Sequence, residues 1–406
     1  MTTRSITGPT ADDIQRARTL LEGVAIRTPM EESRWLSRIA GGPVLLKAEN
    51  LQRAGSFKIR GAFTRMSALS AEERANGVVA ASAGNHAQGV ALAAQLLGIK
   101  AVVYMPNGAP IPKEKATRGY GAEVRFTGTT IDECLVAARE YAEETGAVLV
   151  HPFDHADIVA GQATCGVEIL EQCPDVRTIV VPTGGGGLLA GISAAVKNAR
   201  PDVRIVGVQA EGAAAYPLSL AAGSPQALTT MTTMADGIAV GRPGDVPFAT
   251  IQELVDDVVT VNEESISQAL LMLIERAKLV VEPAGGVAVA AVMDAPDQFE
   301  TPAVVVLSGG NVDPILLMNV LRHGMATTGR YLAFRVLIPD RPGGLARLIA
   351  ELAGTDANIL DVVHQRTSAQ LHMGEVEVSL QVETRGREHA AVLLEHLRSC
   401  GYSVTA

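Results

Sequence analysis

The sequence predicts an α/β protein, with parallel sheets covered by helices, followed by a smaller α+β unit. Three observations carry that expectation. Short β-branched runs alternate with Ala- and Leu-rich helical stretches along most of the chain, the pattern of repeated βα units. Aromatic residues make up only 3% of the 406 residues while glycines number 40, and such small side chains suit helices packed closely on a parallel sheet. Near residue 328 the alternation gives way to the order strand, helix, strand, strand, helix, strand.

The elements follow in chain order. Thr10-Ala-Asp-Asp13 reads as a capping box before a helical run over residues 14–22. Val44-Leu-Leu-Lys47 reads as a short buried strand. Further strands are expected at 78–81, 101–105, 123–126, 148–151, 178–182, 204–208, 258–261 and 304–307. Helices fall between them, among them 85–97, 131–144 and 263–278. Past the small polar link Thr327-Thr-Gly-Arg330, strands are expected at 331–338, 358–366 and 374–382. Helices open at Asp340-Arg-Pro-Gly-Gly-Leu345 and span 387–398, and residues 402–405 close the unit. At roughly 150 residues per domain the length accommodates two or three domains. The boundary is expected at about 328, and no repeat or low-complexity segment stands out.

Composition narrows the function. Apolar residues form 47% of the chain and charged residues 19%, with no room for a mostly disordered polymer. Lys and Arg number 34 against 44 Asp and Glu, a net charge of −10 that disfavours nucleic acid as a partner. One small phosphate held by backbone groups remains compatible with it. The cysteines Cys134, Cys165, Cys173 and Cys400 show no C-x-x-C spacing, so buried free thiols in a reducing cytoplasm are expected. The opening MTTRSITGPTADD has no apolar run, and the uncharged stretches at 75–99 and 178–196 carry polar residues or Pro182 and four glycines. Neither a signal peptide nor a membrane span is expected.

Ligands in such sheets bind at the carboxyl ends of the strands, and four sequence pieces fall there. Lys58, flanked by Phe57 and Ile59, opens a helix after a Gly-Ser turn. Desolvation and a helix N-terminus both lower an amine pKa, although a lysine in a first turn is by itself usually only solvated. Ser82-Ala-Gly-Asn85-His86 joins a strand to a helix; its amides and the Ser82 hydroxyl suit a carboxylate, and Asn85 can donate to a ring oxygen. An ordinary N-cap with a packed His86 is the plain alternative. Gly184, Gly185, Gly186 and Gly187 precede Leu188 between a buried strand and a helix, where successive N–H groups converge on a phosphate. The same run formally satisfies a dinucleotide fingerprint, Gly185-x-Gly187-x-x-Ala190 with Glu211 downstream, but that reading leaves the lysine and the Asn-His motif unused. Finally, Ser308-Gly-Gly-Asn311 ends a strand and offers a neutral hydroxyl to a ring nitrogen; alone it reads as a turn. An amine, a phosphate nest, an amide and a hydroxyl together are the fittings for pyridoxal phosphate.

In that order, the motifs Gly55-Ser-Phe-Lys58-x-Arg60-Gly61, Ser82-Ala-Gly-Asn-His-Ala-Gln-Gly89, Gly184-Gly-Gly-Gly-Leu188 and Ser308-Gly-Gly-Asn311 resemble those of the threonine dehydratases (threonine ammonia-lyases). These are pyridoxal-phosphate enzymes of the tryptophan-synthase-β type, fold type II. The resemblance implies a catalytic domain over 1–327 with a smaller subdomain, about 54–153, inserted in a larger one. It implies Lys58 as the catalytic, cofactor-bearing lysine, with Phe57, Asn85, Gly184, Gly185, Gly186, Gly187, Leu188 and Ser308 holding the cofactor. Ser82, Asn85 and His86 would bind the substrate, L-threonine or L-serine, and the products would be a 2-oxo acid and ammonia. Ala83 stands where serine racemases of this family carry a hydroxyl, which favours a dehydratase. Tyr216-Pro217 offers no second carboxylate near Glu211, so no divalent metal is expected. Residues 331–406 resemble an ACT domain, a regulatory module for a small effector. By family analogy isoleucine would inhibit and valine oppose it, in a homodimer or homotetramer.

Overall fold

A computed structural model describes residues 8–366 and 372–405. Residues 1–7, on which the expected absence of a signal peptide partly rests, lie outside it. The chain divides into two compact units that meet in sequence between Leu317 and Met318, inside the helix Pro314–Thr327 and ahead of the expected boundary.

The first unit holds two sheets. The larger has six strands in the order Met30–Glu32, Val44–Lys47, Ala303–Val306, Thr178–Pro182, Arg204–Ala210 and Asp257–Val261. All neighbours run parallel except the first pair. Val304 lies between Leu45 and Ile179 in register, so the Ser308 loop emerges beside the end of Val44–Lys47. The smaller sheet is fully parallel, in the order Glu123–Phe126, Ala101–Met105, Val78–Ala81 and Val148–Leu149. It lies wholly within the span expected for the inserted subdomain.

Each sheet is covered by helices rich in small residues. Asn85–Leu97 and Lys58–Ser67 pack on the smaller sheet through Ile59, Met66, Val90 and Ala91, all buried against Val78, Ala80 and Val103. Gly187–Ala199 and Ala156–Gln172 cover the larger sheet with Leu189, Ile192, Ile169 and Cys165. Burying one such aliphatic side chain contributes about 1.5–3 kcal/mol. Close approach explains the small residues: a Cβ at Gly191 would come 2.6 Å from backbone atoms of Val159 and Ala163.

Some expectations need correction. Met30–Glu32 was not anticipated, because three largely exposed residues carry no alternation. The helix expected over 263–278 ends at Met272 and passes through a π-turn, Leu273–Ala277, to Lys278 at φ +61°. The buried-thiol expectation holds for Cys134, Cys165 and Cys173 but not for Cys400, which is exposed at the end of the last helix. Among the described residues no helix is long and apolar enough to cross a membrane.

The second unit carries a four-stranded antiparallel sheet in the order Asn358–Gln365, Glu375–Glu383, Tyr331–Pro339, Ser403–Thr405. The helices Gly344–Ala353 and Arg387–Ser399 complete the βαββαβ order. Leu348, Leu352, Leu393 and Leu397 are buried with Val336, Val378 and Leu380.

Candidate active site

Lys58 is placed by a stitched loop. After Val44–Lys47 the chain makes two short 3₁₀ turns and leaves them in the left-handed region at Ala54 and Gly55. Ser56 then bridges Gly309, Phe57 N donates to Ser308 O at 3.2 Å, and Gly310 N donates to Gly55 O at 2.9 Å. The lysine helix is thereby tied to the serine loop before its first turn begins.

Arg60, two residues on, anchors that turn from behind. Its guanidinium grips both oxygens of Glu49 at 2.8 Å and reaches Glu168 Oε1 at 2.7 Å; Lys47 Nζ meets Glu168 Oε2 at 2.6 Å. Glu49 is fully buried, and the guanidinium beside it keeps its carboxyl below the usual range although burial alone would raise it. Two cations face two anions, so the buried charges are mutually compensated.

The Lys58 amine donates to Pro152 O at 3.0 Å, with the Phe57 ring centroid 5.0 Å away. Burial brings its pKa down to about 8, although Glu282 pulls the other way. An amine poised there is unprotonated to a useful degree near neutrality.

At the turn after Val78–Ala81, the Ser82 hydroxyl accepts from Gly84 N at 3.1 Å and keeps its own proton to donate. The amides of Asn85, His86 and Ala87 reach no acceptor among the described residues, leaving a helix N-terminus able to receive an anion. The His86 ring is buried, its Nε2 is 2.7 Å from Val150 O, and its pKa falls to about 3 through burial. The ring is thus a neutral packing group, and only the His86 backbone offers a hydrogen bond at this turn.

The orientation of Asn85 is set by a chain of bonds. Asn311 Nδ2 donates to Ala54 O at 2.7 Å and to Asn85 Oδ1 at 2.8 Å, so Asn85 turns its nitrogen the other way, to Glu282 Oε1 at 2.5 Å. A side-chain amide nitrogen carries two protons, which leaves one for a ligand. Sequence reasoning missed Glu282. It is buried at the N-cap of the helix Pro283–Asp294, and Pro283 at the first helical position holds it extended. Burial, aided by nearby Asp236, lifts its carboxyl to about 7. No local motif marks it; Glu-Pro before a helical run was the available signal.

The glycine run is a cradle with close walls. A Cβ on Gly185 would overlap the Phe153 ring, one on Gly186 the Tyr216 hydroxyl, and one on Gly184 would sit 3.0 Å from Ile238 Cα. Gly186 adopts φ +98°, a conformation that favours glycine. The amides of Gly185, Gly186, Gly187 and Leu188 donate to no group among the described residues. Tyr216 is buried beside the cradle and donates to Gly185 O at 3.2 Å.

Two segments join these parts. Pro152 receives the Lys58 amine while its neighbour Phe153 walls the glycines. The turn Asp236–Ile238 meets Gly184 at one end and lies by Glu282 at the other. Ser308, buried, spends its hydroxyl on no described group. Four unspent amides, a free hydroxyl, a half-spent amide and a depressed lysine fit the phosphate, ring nitrogen, ring oxygen and aldehyde of pyridoxal phosphate. A nicotinamide dinucleotide would leave the lysine and Asn85 idle.

Fold and site therefore define a fold-type II enzyme that uses pyridoxal phosphate. Residues 21–309 match the family described as pyridoxal-phosphate dependent enzyme, and the chain belongs to that family. It is 45% identical over 395 residues to the L-threonine ammonia-lyase of Thermotoga maritima, covering 97% of this chain and 98% of that one. To the L-threonine ammonia-lyase of Geobacter sulfurreducens it is 46% identical, covering 96% and 98%. Among solved structures, the processed form of threonine deaminase isoform 2 from Solanum lycopersicum superposes with a TM-score of 0.73 at 38% identity, over 79% of this chain and 95% of that one. Maize serine racemase gives 0.73 at 35% identity, over 79% and 99%.

Proposed function

We propose that this chain is an L-threonine ammonia-lyase that converts L-threonine to 2-oxobutanoate and ammonia in the cytoplasm. The observation that carries this reading is the likeness to two proteins of that name along nearly the whole of both chains.

Each residue then has a task. Amides 185–188 hold the cofactor phosphate, Ser308 meets the ring nitrogen without protonating it, and Asn85 donates to the ring oxygen. When bound, the cofactor supplies a sink for negative charge developing at the substrate Cα. Ser82 and the amides at the start of Asn85–Leu97 bind the substrate carboxylate. Lys58 takes the Cα proton, a general-base role suited to its lowered pKa. The β-hydroxyl would leave with a proton as water, and hydrolysis of the resulting enamine would take one water back up and give the oxo acid and ammonia. Ala83 has no proton to return to the opposite face of Cα, so elimination is favoured over racemisation.

The second unit serves, in this reading, as an ACT-type regulatory module. A cleft of about 690 Å³ lined by Asp340, Gly343, Gly344, His364 and Arg366 would take an amino-acid effector, with isoleucine inhibiting and valine opposing it. Such modules pair, which implies a homodimer or homotetramer.

The test is 2-oxo acid release by the purified holoenzyme given L-threonine, L-serine or D-serine, with isoleucine titrated against the best substrate. Fastest turnover of L-threonine supports the assignment. Preference for L-serine replaces it with a serine dehydratase, and D-serine formed from L-serine would sink the argument from Ala83. Turnover and oligomeric state indifferent to isoleucine would remove that effector.

A further inference from the structure

Glu351, His396 and Cys400 lie on facing parts of the second unit, and neither the fold nor the lyase chemistry gives them a task. Glu351 is in the helix Gly344–Ala353, His396 in the last turn of Arg387–Ser399, and Cys400 caps that second helix. Their ligating atoms lie within 4.8 Å of one another. His396 Nε2 is 2.9 Å from Glu351 Oε2, Cys400 Sγ is 3.5 Å from the same oxygen, and Sγ and Nε2 are 3.8 Å apart.

We propose that these three side chains form a site for a thiophilic divalent cation of the zinc class, with its fourth position open to water. The triangle has the right size. Tetrahedral coordination at about 2.3 Å to sulfur and about 2.0 Å to nitrogen and oxygen sets ligand edges of roughly 3.3–3.6 Å. Each observed edge lies within about 0.4 Å of those values, so adjustment of exposed side chains is enough. The donors are right as well: a thiolate and an imidazole select zinc-like ions over magnesium or calcium. Charge balances, since one carboxylate and one thiolate neutralise a dication while the imidazole binds neutral.

Two further features favour a cation here. His396 and Cys400 are four residues apart at a helix C-terminus, where the unpaired carbonyls leave a partial negative charge. Cys400 is exposed, while Glu351 and His396 are partly so, which gives an ion a path in. The other cysteines are buried and none joins a cluster of metal-ligating groups among the described residues. An occupied site would clasp the two helices of this unit together.

The test uses full-length holoenzyme freed of metal with a chelator and titrated with Co²⁺. The ligand-field bands of tetrahedral cobalt lie at the red end of the visible spectrum, clear of the cofactor. One equivalent per chain should develop those bands, and Zn²⁺ should bleach them. Cys400→Ser should abolish the tetrahedral signature, and His396→Ala should weaken binding at least tenfold. Circular dichroism and thermal melting of each variant, compared with the parent, report that the second unit is folded. No bands at stoichiometric cobalt, or bands that survive Cys400→Ser, would overturn the proposal.

Discussion

Two strand-to-helix turns in the catalytic unit do related work in opposite ways. At 184–187 the backbone acts alone: all four residues are glycines, Phe153, Tyr216 and Ile238 fill the space a Cβ would need, and Gly186 sits at φ +98°. At 81–85 side chains act with the backbone. Ser82 and Asn85 contribute their own groups, and a Cβ on Gly84 would meet only Lys113 Nζ, at an ordinary 3.7 Å. In the proposed function the first would be a rigid mould for the cofactor phosphate, and the second a more open grip for the substrate carboxylate. The contrast supports placing the phosphate at the glycines and the substrate carboxylate at Ser82–Ala87.

In the proposed function Lys58 is the general base, so Lys58→Ala should have the largest effect. Turnover is expected to fall at least ~10³-fold while the fold survives, with the yellow of the bound cofactor lost. Activity retained in that variant would remove the lysine from the chemistry. Gly186→Ala attacks the rigid turn. Equilibrium dialysis should show cofactor affinity lowered by about 10²-fold, because the new methyl meets the Tyr216 hydroxyl and the conformation disfavours it. Unchanged affinity would deny that the mould is rigid.

Glu282→Gln sharpens the more open side. In the cofactor-free protein the folded state raises the Glu282 carboxyl from 4.5 to about 7, so it binds that proton more tightly than the unfolded chain does. The contribution is full below about 4.5 and is lost as pH climbs through about 7, a fall of roughly 3 kcal/mol. Denaturant melts across this window should show the fall in the parent and its absence in the variant. Turnover is expected to drop about tenfold, because the amide can no longer offer Asn85 a charged acceptor. The smallest effect belongs to Gly84→Ala: KM for the amino acid should rise a few-fold while cofactor affinity stays put. Loss of cofactor there would erase the distinction between the turns.

Strands within the parallel sheets were legible because burial on both faces demands continuous apolar runs; Val78-Val-Ala-Ala81 and Thr178-Ile-Val-Val-Pro182 are read directly. The helix Asn85–Leu97 was legible as an Ala- and Leu-rich stretch between two apolar runs, and in the structure Gly98 closes it in the left-handed conformation. The site residues were legible where a glycine or hydroxyl marks a strand end. Glu282 was not, because its meaning lies in partners far along the chain: Asn85 is 197 residues away. Arg60 stood within a quoted motif, yet its role as an anchor depends on Glu49 and Glu168, which only folding brings to it. Exposure of Cys400 was equally hidden, since a thiol carries no sign of which way a helix end will face.

The segment Pro152–Phe153 follows the last strand of the smaller sheet, accepts the lysine amine at one residue and walls the glycine cradle at the next. Two consecutive residues thus join the lysine to the glycines, and the backbone that seats one also seats the other.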